Sequence, residues 1–190
     1  MVFIIAILVG LAYGGGDQYL GSLRPMVELG SWTPTAAQMS APWLLLPFVL
    51  GATQTNPRRA MLLGLVVTEA TMIGYVAMTV SPMENVSSAA APAAAAAMLL
   101  AGQNIVYAIA GLASGPLYGL LGQRWRVDRW WVSAVAVAGA FFLEPWARVA
   151  VGRLSPPSVV WWVEVAFGAA VTVYFAARLV QSRRAARIVA

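Results

Sequence analysis

Six apolar runs, separated by polar connections that carry most of the charge, limit what this sequence can fold into more than any other feature. The runs cover about residues 2–20, 41–55, 60–80, 98–121, 130–148 and 158–179. A helix needs roughly 20 apolar residues to cross a bilayer, and backbone polar groups in lipid must be paired within helices or closed barrels. We therefore expect an all-α, multi-pass membrane protein, in which residues 1–190 form a single six-helix transmembrane bundle.

Composition supports this expectation and narrows the chemistry. The mean hydropathy is +0.75 and 10% of the residues are charged, whereas soluble domains carry about 25% charged residues. There is no Cys or His, and all 12 basic residues are Arg. Thiolate and imidazole chemistry, the usual zinc sites and Schiff bases on Lys are thereby excluded. We expect no enzymatic activity, no cofactor and no metal, and no nucleic-acid partner, because no basic aromatic patch is present.

Two runs have unusual features. The first begins at Val2 with no basic residue before it, so we interpret it as a retained helix rather than a secretory signal, which has a basic segment ahead of its apolar core. The second contains Pro47, which we expect to kink the helix and free a backbone carbonyl. The alanine-rich residues 89–97 are too weakly apolar to predict a span, and we interpret them as an external or interfacial lead-in.

The arginines are distributed unevenly over the turns. With the N-terminus inside, nine fall on the cytoplasmic side and three outside. The inner group is Arg58, Arg59, Arg124, Arg126, Arg129, Arg178, Arg183, Arg184 and Arg187, and the outer group is Arg24, Arg148 and Arg153. Because positive residues accumulate on the cytoplasmic side, we expect both termini to be cytoplasmic in a protein of the cell membrane.

Three glutamates, Glu69, Glu144 and Glu164, lie inside the apolar runs. An ionised carboxylate at mid-membrane costs about 3 kcal/mol or more, so such acids usually face a bundle interior or a wet cavity. All three are candidate ligand-binding residues. Glu144 and Arg148 have the i,i+4 spacing of a helical ion pair, and an interfacial capping pair explains them as well as a ligand clamp does. Glu69 and Glu164 have no nearby Arg in their own runs, which favours a functional role.

Other polar residues fall in the same outer half of the predicted bundle: Asp17, Gln18, Gln103 and Asn104. Together with the three glutamates, these residues favour a cup that is open to the outside over a pore that passes through the bundle. A solvated Asp17, and interhelical hydrogen bonds from the two amides of the fourth run, are the structural alternatives.

Trp161 and Trp162 stand near the start of the last run. Aromatic residues in such positions anchor helices at the headgroup level, and this is the interpretation we favour. Stacking on a cationic ligand is the functional alternative.

Gly111, Gly115 and Gly119 recur every four residues in the fourth run. This is the small-xxx-small spacing that lets two membrane helices approach closely. We therefore predict that these glycines form a helix-packing face.

Four short stretches resemble a family of small six-span actinobacterial membrane proteins of unknown function. They are Trp43-Leu-Leu-Leu-Pro-Phe-Val-Leu-Gly51, Arg59-Ala-Met-Leu-Leu-Gly64 with Gly74-Tyr75, Ala113-Ser-Gly-Pro-Leu-Tyr-Gly-Leu-Leu-Gly122 and Ala138-Gly-Ala-Phe-Phe-Leu-Glu144. The resemblance implies the six-helix architecture and adds weight to Glu144, but it implies no activity. In size and polarity the chain is also similar to the substrate-capture subunits of energy-coupling-factor importers, which bind a vitamin in an outward cup.

Three functions remain open at this point. The first is a transport-related subunit that binds a small, cationic or hydrogen-bonding solute in the outer cup. The second is a structural or assembly subunit whose glycine face docks on a membrane protein partner or a second copy. The third is a carboxylate-based proton or cation pathway that includes Glu69.

Overall fold

The fold is that of a computed structural model, which describes residues 1–22, 39–81, 97–98, 102, 104–150 and 159–189, with side chains to residue 182. The described residues form six helices: α1 Val2–Ser22, α2 Ala41–Gly51, α3 Pro57–Thr79, α4 Ile105–Asp128, α5 Trp131–Ala150 and α6 Val159–Val189. All of these except α2 are long and apolar enough to cross a membrane. The described part of the chain is therefore all-helical, with five helices suited to a multi-pass membrane protein.

Helix α2 is shorter than the apolar run that predicts it. The run extends to residue 55, but the helix ends at Gly51 after 11 residues, about 16 Å and so about half of the hydrocarbon core. Pro47 lies inside the helix and is buried. The chain leaves the helix because the next residues are polar and Asn56 caps α3 instead, accepting the Arg59 N–H. By itself α2 does not span the membrane, so six complete spans are not formed by the described residues.

Two other helices end later than predicted. Helix α4 continues to Asp128 rather than residue 121, because Trp125 is buried and Arg124 pairs with Asp128 one turn on. Helix α6 continues to Val189 rather than residue 179. In both cases the helix continues past the end of the apolar run that predicts it. The start of the fourth run, predicted at residue 98, and residues 89–96 lie largely outside the described residues.

Glycines allow α1 and α4 to pack closely against α3. A Cβ on Gly14 of α1 would overlap the carbonyl of Thr71 in α3. Gly115 and Gly119 of α4 lie against α3 in the same way, where a Cβ would meet the carbonyls of Gly64 and Ala60 respectively. Lipid tails are as apolar as the side chains, so the hydrophobic effect does not drive two helices together in a bilayer. Close approach of their backbones increases van der Waals contact instead. The glycine face is thus occupied within the chain, and a partner would have to dock elsewhere.

Helix α2 lies at the centre of the bundle, in contact with α3, α4 and α5. Phe48 of α2 meets Phe175 of α6 edge-on at a centroid distance of 5.8 Å, and Trp125 of α4 meets the same ring at 4.4 Å. This aromatic cluster continues into α5 through Val137 and Phe141. It fixes the half-helix between the α3–α4 pair and the α5–α6 pair.

Successive helices alternate in direction, which gives the bundle two distinct ends. Helices α1, α3 and α5 finish, and α2, α4 and α6 begin, at the same end of the bundle. We call this the carboxylate end because it carries Asp17, Glu144 and Glu164. The opposite, arginine end carries Arg58, Arg59, Arg124, Arg126 and Arg129. The N-terminus lies at the arginine end, where the Arg59 guanidinium is 6.0 Å from the Phe3 ring. Helix α6 passes Trp125 at Phe175 and finishes at the same end.

Candidate functional site

Helix α2 begins on the side chain of Glu144. Its Oε1 accepts the Ser40 N–H at 2.6 Å and its Oε2 accepts the Ala41 N–H at 2.5 Å. The first amides of a helix have no intrahelical acceptor and carry partial positive charge, so a carboxylate suits them well. The N-cap residue Ser40 makes no side-chain cap of its own. The cap comes from α5 instead, and it fixes the half-helix against that helix.

Arg148 binds the same carboxylate, and Glu144 and Arg148 together are here called the clamp. Its Nη2 is 2.6 Å from Glu144 Oε1, its Nε donates to the same oxygen at 2.7 Å, and its Nη2 donates to Ser40 Oγ at 3.3 Å. The side chains of Arg148 and Glu144 are only 14% and 11% exposed. Both oxygens of Glu144 therefore already bind protein groups. This agrees with the interpretation of Glu144 and Arg148 as a capping pair, and not with a pair left free to bind a ligand.

Glu164 lies behind the clamp on α6. Its side chain is 6% exposed, and neither carboxyl oxygen has a hydrogen-bond donor among the described residues. Glu144 and Arg148 of α5 are its charged neighbours. Glu164 is thus buried beside another acid, without a donor from the residues that the structure describes.

The packing of α5 on α6 places these two acids at the same level. Two aromatic pairs cross between the helices, with centroids 4.8 Å apart for Phe141 and Phe167 and 4.9 Å apart for Trp146 and Trp161. The helices are antiparallel, and Glu144 follows Phe141 by three residues while Glu164 precedes Phe167 by three. The two glutamates therefore face each other between the two aromatic pairs.

A cavity of about 420 Å³, here called the solute cavity, opens between α2, α3 and α4 on the other side of the clamp. Its walls combine aromatic, apolar and polar side chains. They include Trp43, Tyr75 and Tyr107, the apolar Met39, Leu44 and Met72, and the polar Ser40, Glu69, Asn104, Ser114 and Arg148. A few polar groups in a mostly apolar wall are typical of small-molecule sites, and the volume lies within their usual range.

Glu69 is the acid of the solute cavity. It follows Pro57 by twelve residues, about 18 Å along α3 and so near mid-membrane. Its Oε1 is buried without a partner among the described residues, and it lies against Gly111, where a Cβ would come within 3.0 Å of it. Arg148, the other charged residue of the wall, is paired with Glu144. The charge of Glu69 is therefore uncompensated in the part of the chain described.

Asp17 supports one wall of the cavity instead of facing solvent alone. Its Oδ2 accepts the Trp43 Nε1–H at 3.2 Å. The Trp43 ring also meets Tyr13 and Tyr75 edge-on, at 6.3 and 5.9 Å. Gln18 is half-buried next to Asp17. It lines neither the solute cavity nor a second cavity between α2, α4 and α5, here called the adjoining cavity.

The remaining predicted residues divide between the cavity and the outside of the bundle. Asn104 lines the solute cavity, whereas Gln103 lies outside the described residues. Trp161 is buried against Trp146, and Trp162 is 62% exposed. Since neither tryptophan lines the cavity, they cannot stack on a solute held there.

Sequence reasoning did not select the aromatic residues of the cavity. Tyr107 follows Asn104 by three residues, the spacing of neighbours on one helix face, and this was the signal present. Tyr75 follows Glu69 by six residues, which is not such a spacing. No local pattern marks Trp43, because its position depends on where the half-helix α2 begins.

No protein-family model, curated protein or solved structure matches this chain. The resemblance to the actinobacterial six-span family and the likeness to importer subunits stay predictions from the sequence.

Proposed function

We propose that this protein binds a small organic cation in the solute cavity and serves as a transport-related subunit of the cell membrane. The carrying observation is Glu69, whose Oε1 is buried without a donor among the described residues. An ionised carboxylate in the membrane interior is costly unless it is paired. A cationic solute supplies that pair.

The cavity walls favour a cation in two further ways. Trp43, Tyr75 and Tyr107 supply aromatic surface, and an ammonium over an aromatic face gains about 0.5–2 kcal/mol. The positive charge of Arg148 is neutralised by Glu144 at 2.6 Å, so it does not oppose a cation as a free guanidinium would.

The direction of access follows from the arginines. If the arginine end is cytoplasmic, as the positive-inside rule favours, the carboxylate end faces outward. Met39, Ser40 and Asn104, which line the solute cavity, lie at that end. The chain carries no nucleotide-binding motif, so energised transport would depend on a partner. The absence of Cys, His and Lys favours binding over catalysis.

The test is a thermal-shift measurement on the detergent-purified protein with paired probes. Choline is compared with 3,3-dimethylbutanol, its neutral carbon analogue, and polyamines are compared with diols of equal length. We expect the cations to raise the thermal midpoint by several degrees, since a ligand at about 100 times its Kd stabilises by about 2.7 kcal/mol.

Glu69→Gln should abolish the shift while the protein still folds. Asp128→Asn, which removes an exposed acid at the arginine end, is the control that should retain it. An equal shift with the neutral analogue, or a shift that survives Glu69→Gln, would contradict a cation site at Glu69. No shift with any cation on folded protein would also count against it.

A further inference from the structure

The acid pair formed by Glu144 and Glu164 is not explained by solute binding. Both oxygens of Glu164 are buried and receive no donor from the described residues. The packing of α5 on α6 sets the Glu144 carboxylate opposite it, and an ionised carboxylate can only accept hydrogen bonds. Two ionised carboxylates at this position would repel each other, whereas one proton between them makes a short, charge-assisted O–H···O bond.

The charges around the pair require the same single proton. With both acids ionised, two negative charges face the single positive charge of Arg148, and a buried net charge remains. With both protonated, Arg148 and the first amides of α2 lose their anionic partner. One shared proton leaves the cluster neutral, which is the state that a buried site tolerates.

The neighbouring helices supply no other cation among the described residues. From α2 come the Ser40 and Ala41 amides, and from α5 comes Arg148. Tyr13 of α1 interacts with Glu144 and with Asp17. Tyr107 and Tyr118 of α4 line the adjoining cavity together with Glu144, and the Tyr118 hydroxyl donates to the Ala136 carbonyl. None of these groups except Arg148 offsets the second carboxylate.

We infer that Glu144 and Glu164 form a proton-binding site that holds one shared proton and is separate from the cation site at Glu69. The proton would be released by moving off the pair into the adjoining cavity between α2, α4 and α5, which Glu144 lines. Release leaves two carboxylates in repulsion.

This site is positioned to act on the solute cavity. Glu144 holds the first residues of α2, and Ser40, Leu44 and Arg148 line both cavities. Repulsion between the two acids therefore loosens the turn that separates the cavities. Proton release would lower the affinity for a solute, and this coupling alone rests on the proposed function.

Infrared spectroscopy of the whole protein tests the proton directly. At neutral pH we expect a band from a protonated carboxyl group, which disappears as the buffer is made alkaline. Glu164→Gln places an amide N–H where the shared proton lies, so it should keep the fold and lose this band. Asp128→Asn, which removes an exposed acid at the arginine end, is the matched control and should keep it. No protonated carboxyl band in the wild-type protein at neutral pH would overturn the inference, whether or not the variant folds.

The thermal midpoint supplies a second readout without any solute. Because the folded state holds a proton that an unfolded chain releases, we expect the wild-type midpoint to fall as pH rises. Glu164→Gln should flatten this dependence and Asp128→Asn should not. No solute is present, so the proton site can stand even if cation binding fails. If the midpoint differs between sodium and potassium buffers, and this difference disappears in Glu164→Gln, the acid pair binds a metal cation and the inference of a shared proton is overturned.

Discussion

Glu144 caps the backbone N–H of Ala41, although the two residues lie 103 positions apart in the chain. The half-helix α2 thus begins on a side chain of α5. It finishes on side chains of α4, since Arg126 donates to the carbonyls of Ala52 and Thr53 at 3.3 and 2.6 Å. A helix too short to cross the membrane is held by charged residues at both ends, and it forms a wall of the solute cavity.

Removing the cap should destabilise the whole protein. Glu144→Ala leaves Arg148 buried without its anion and leaves two helix amides without acceptors. Breaking a buried pair by removing one partner costs about 3–5 kcal/mol, so we expect a large fall in the thermal midpoint in detergent. Asp128→Ala is the matched control: it breaks an i,i+4 pair whose side chains are 50% and 47% exposed, worth about 0–1 kcal/mol. Equal effects of the two substitutions would contradict the cap.

The other end of α2 offers a comparison between two nearby arginines. Arg126→Gln removes the guanidinium from the last carbonyls of the helix, where a positive charge is also favoured by the helix dipole. We expect a loss of about 1 kcal/mol, measured by denaturation in mixed micelles. Arg124→Gln removes the same charge from the same turn but affects only the exposed Asp128, so it should be close to neutral. If Arg124→Gln lowered the stability more than Arg126→Gln, the position of the end of α2 would not depend on Arg126.

Two glycines of α1 differ in what surrounds them. A Cβ on Gly14 would overlap the Thr71 carbonyl, whereas a Cβ on Gly16 meets nothing within 4 Å. Alanine is the better helix former by about 1 kcal/mol, so Gly16→Ala should be neutral or slightly stabilising. Gly14→Ala should lower the midpoint by several degrees, because α1 must move away from α3. A neutral Gly14→Ala would mean that the α1–α3 crossing is looser than its backbone contact indicates.

The sequence predicted what depends on local pattern. Apolar runs located the helices, and the i,i+4 spacing of Glu144 and Arg148 predicted their ion pair. Helix ends were less predictable, because a helix need not end where its apolar run ends, and α4 and α6 both continue beyond theirs. The start of α2 at Ala41 was predicted, but its early end at Gly51 was not, because the end of this helix is set by tertiary contacts such as those of Arg126.

The site was predictable only in its parts. Helical depth placed Glu144 and Glu164 in one half of the bundle, but their direct opposition depends on the register of α5 on α6, which the aromatic crossings fix. The orientation of Glu69 toward the cavity likewise depends on the close α3–α4 approach at Gly111. Sequence spacing reports neighbours along one helix, whereas both relationships are between helices.

Gly111 should control the size of the cation site. A Cβ there would come within 3.0 Å of Glu69 Oε1 and 3.1 Å of Thr68 Cγ2, so Gly111→Ala crowds the carboxylate. We expect weaker cation binding, seen as a smaller thermal shift at fixed ligand concentration. Gly139→Ala, whose Cβ meets nothing within 4 Å, should leave the shift unchanged. Equal shifts in the two variants would place the bound cation away from Glu69.

The orientation of the bundle can be tested by single cysteines, since the chain has none of its own. Tyr19 is exposed at the carboxylate end and Thr55 is exposed at the arginine end. With the arginine end cytoplasmic, an impermeant maleimide on intact cells should label Tyr19→Cys but reach Thr55→Cys only after permeabilisation. Labelling of Thr55→Cys in intact cells, with Tyr19→Cys protected, would reverse the orientation. The solute cavity would then face the cytoplasm, and the protein would fit release or export of a cation rather than its capture from outside.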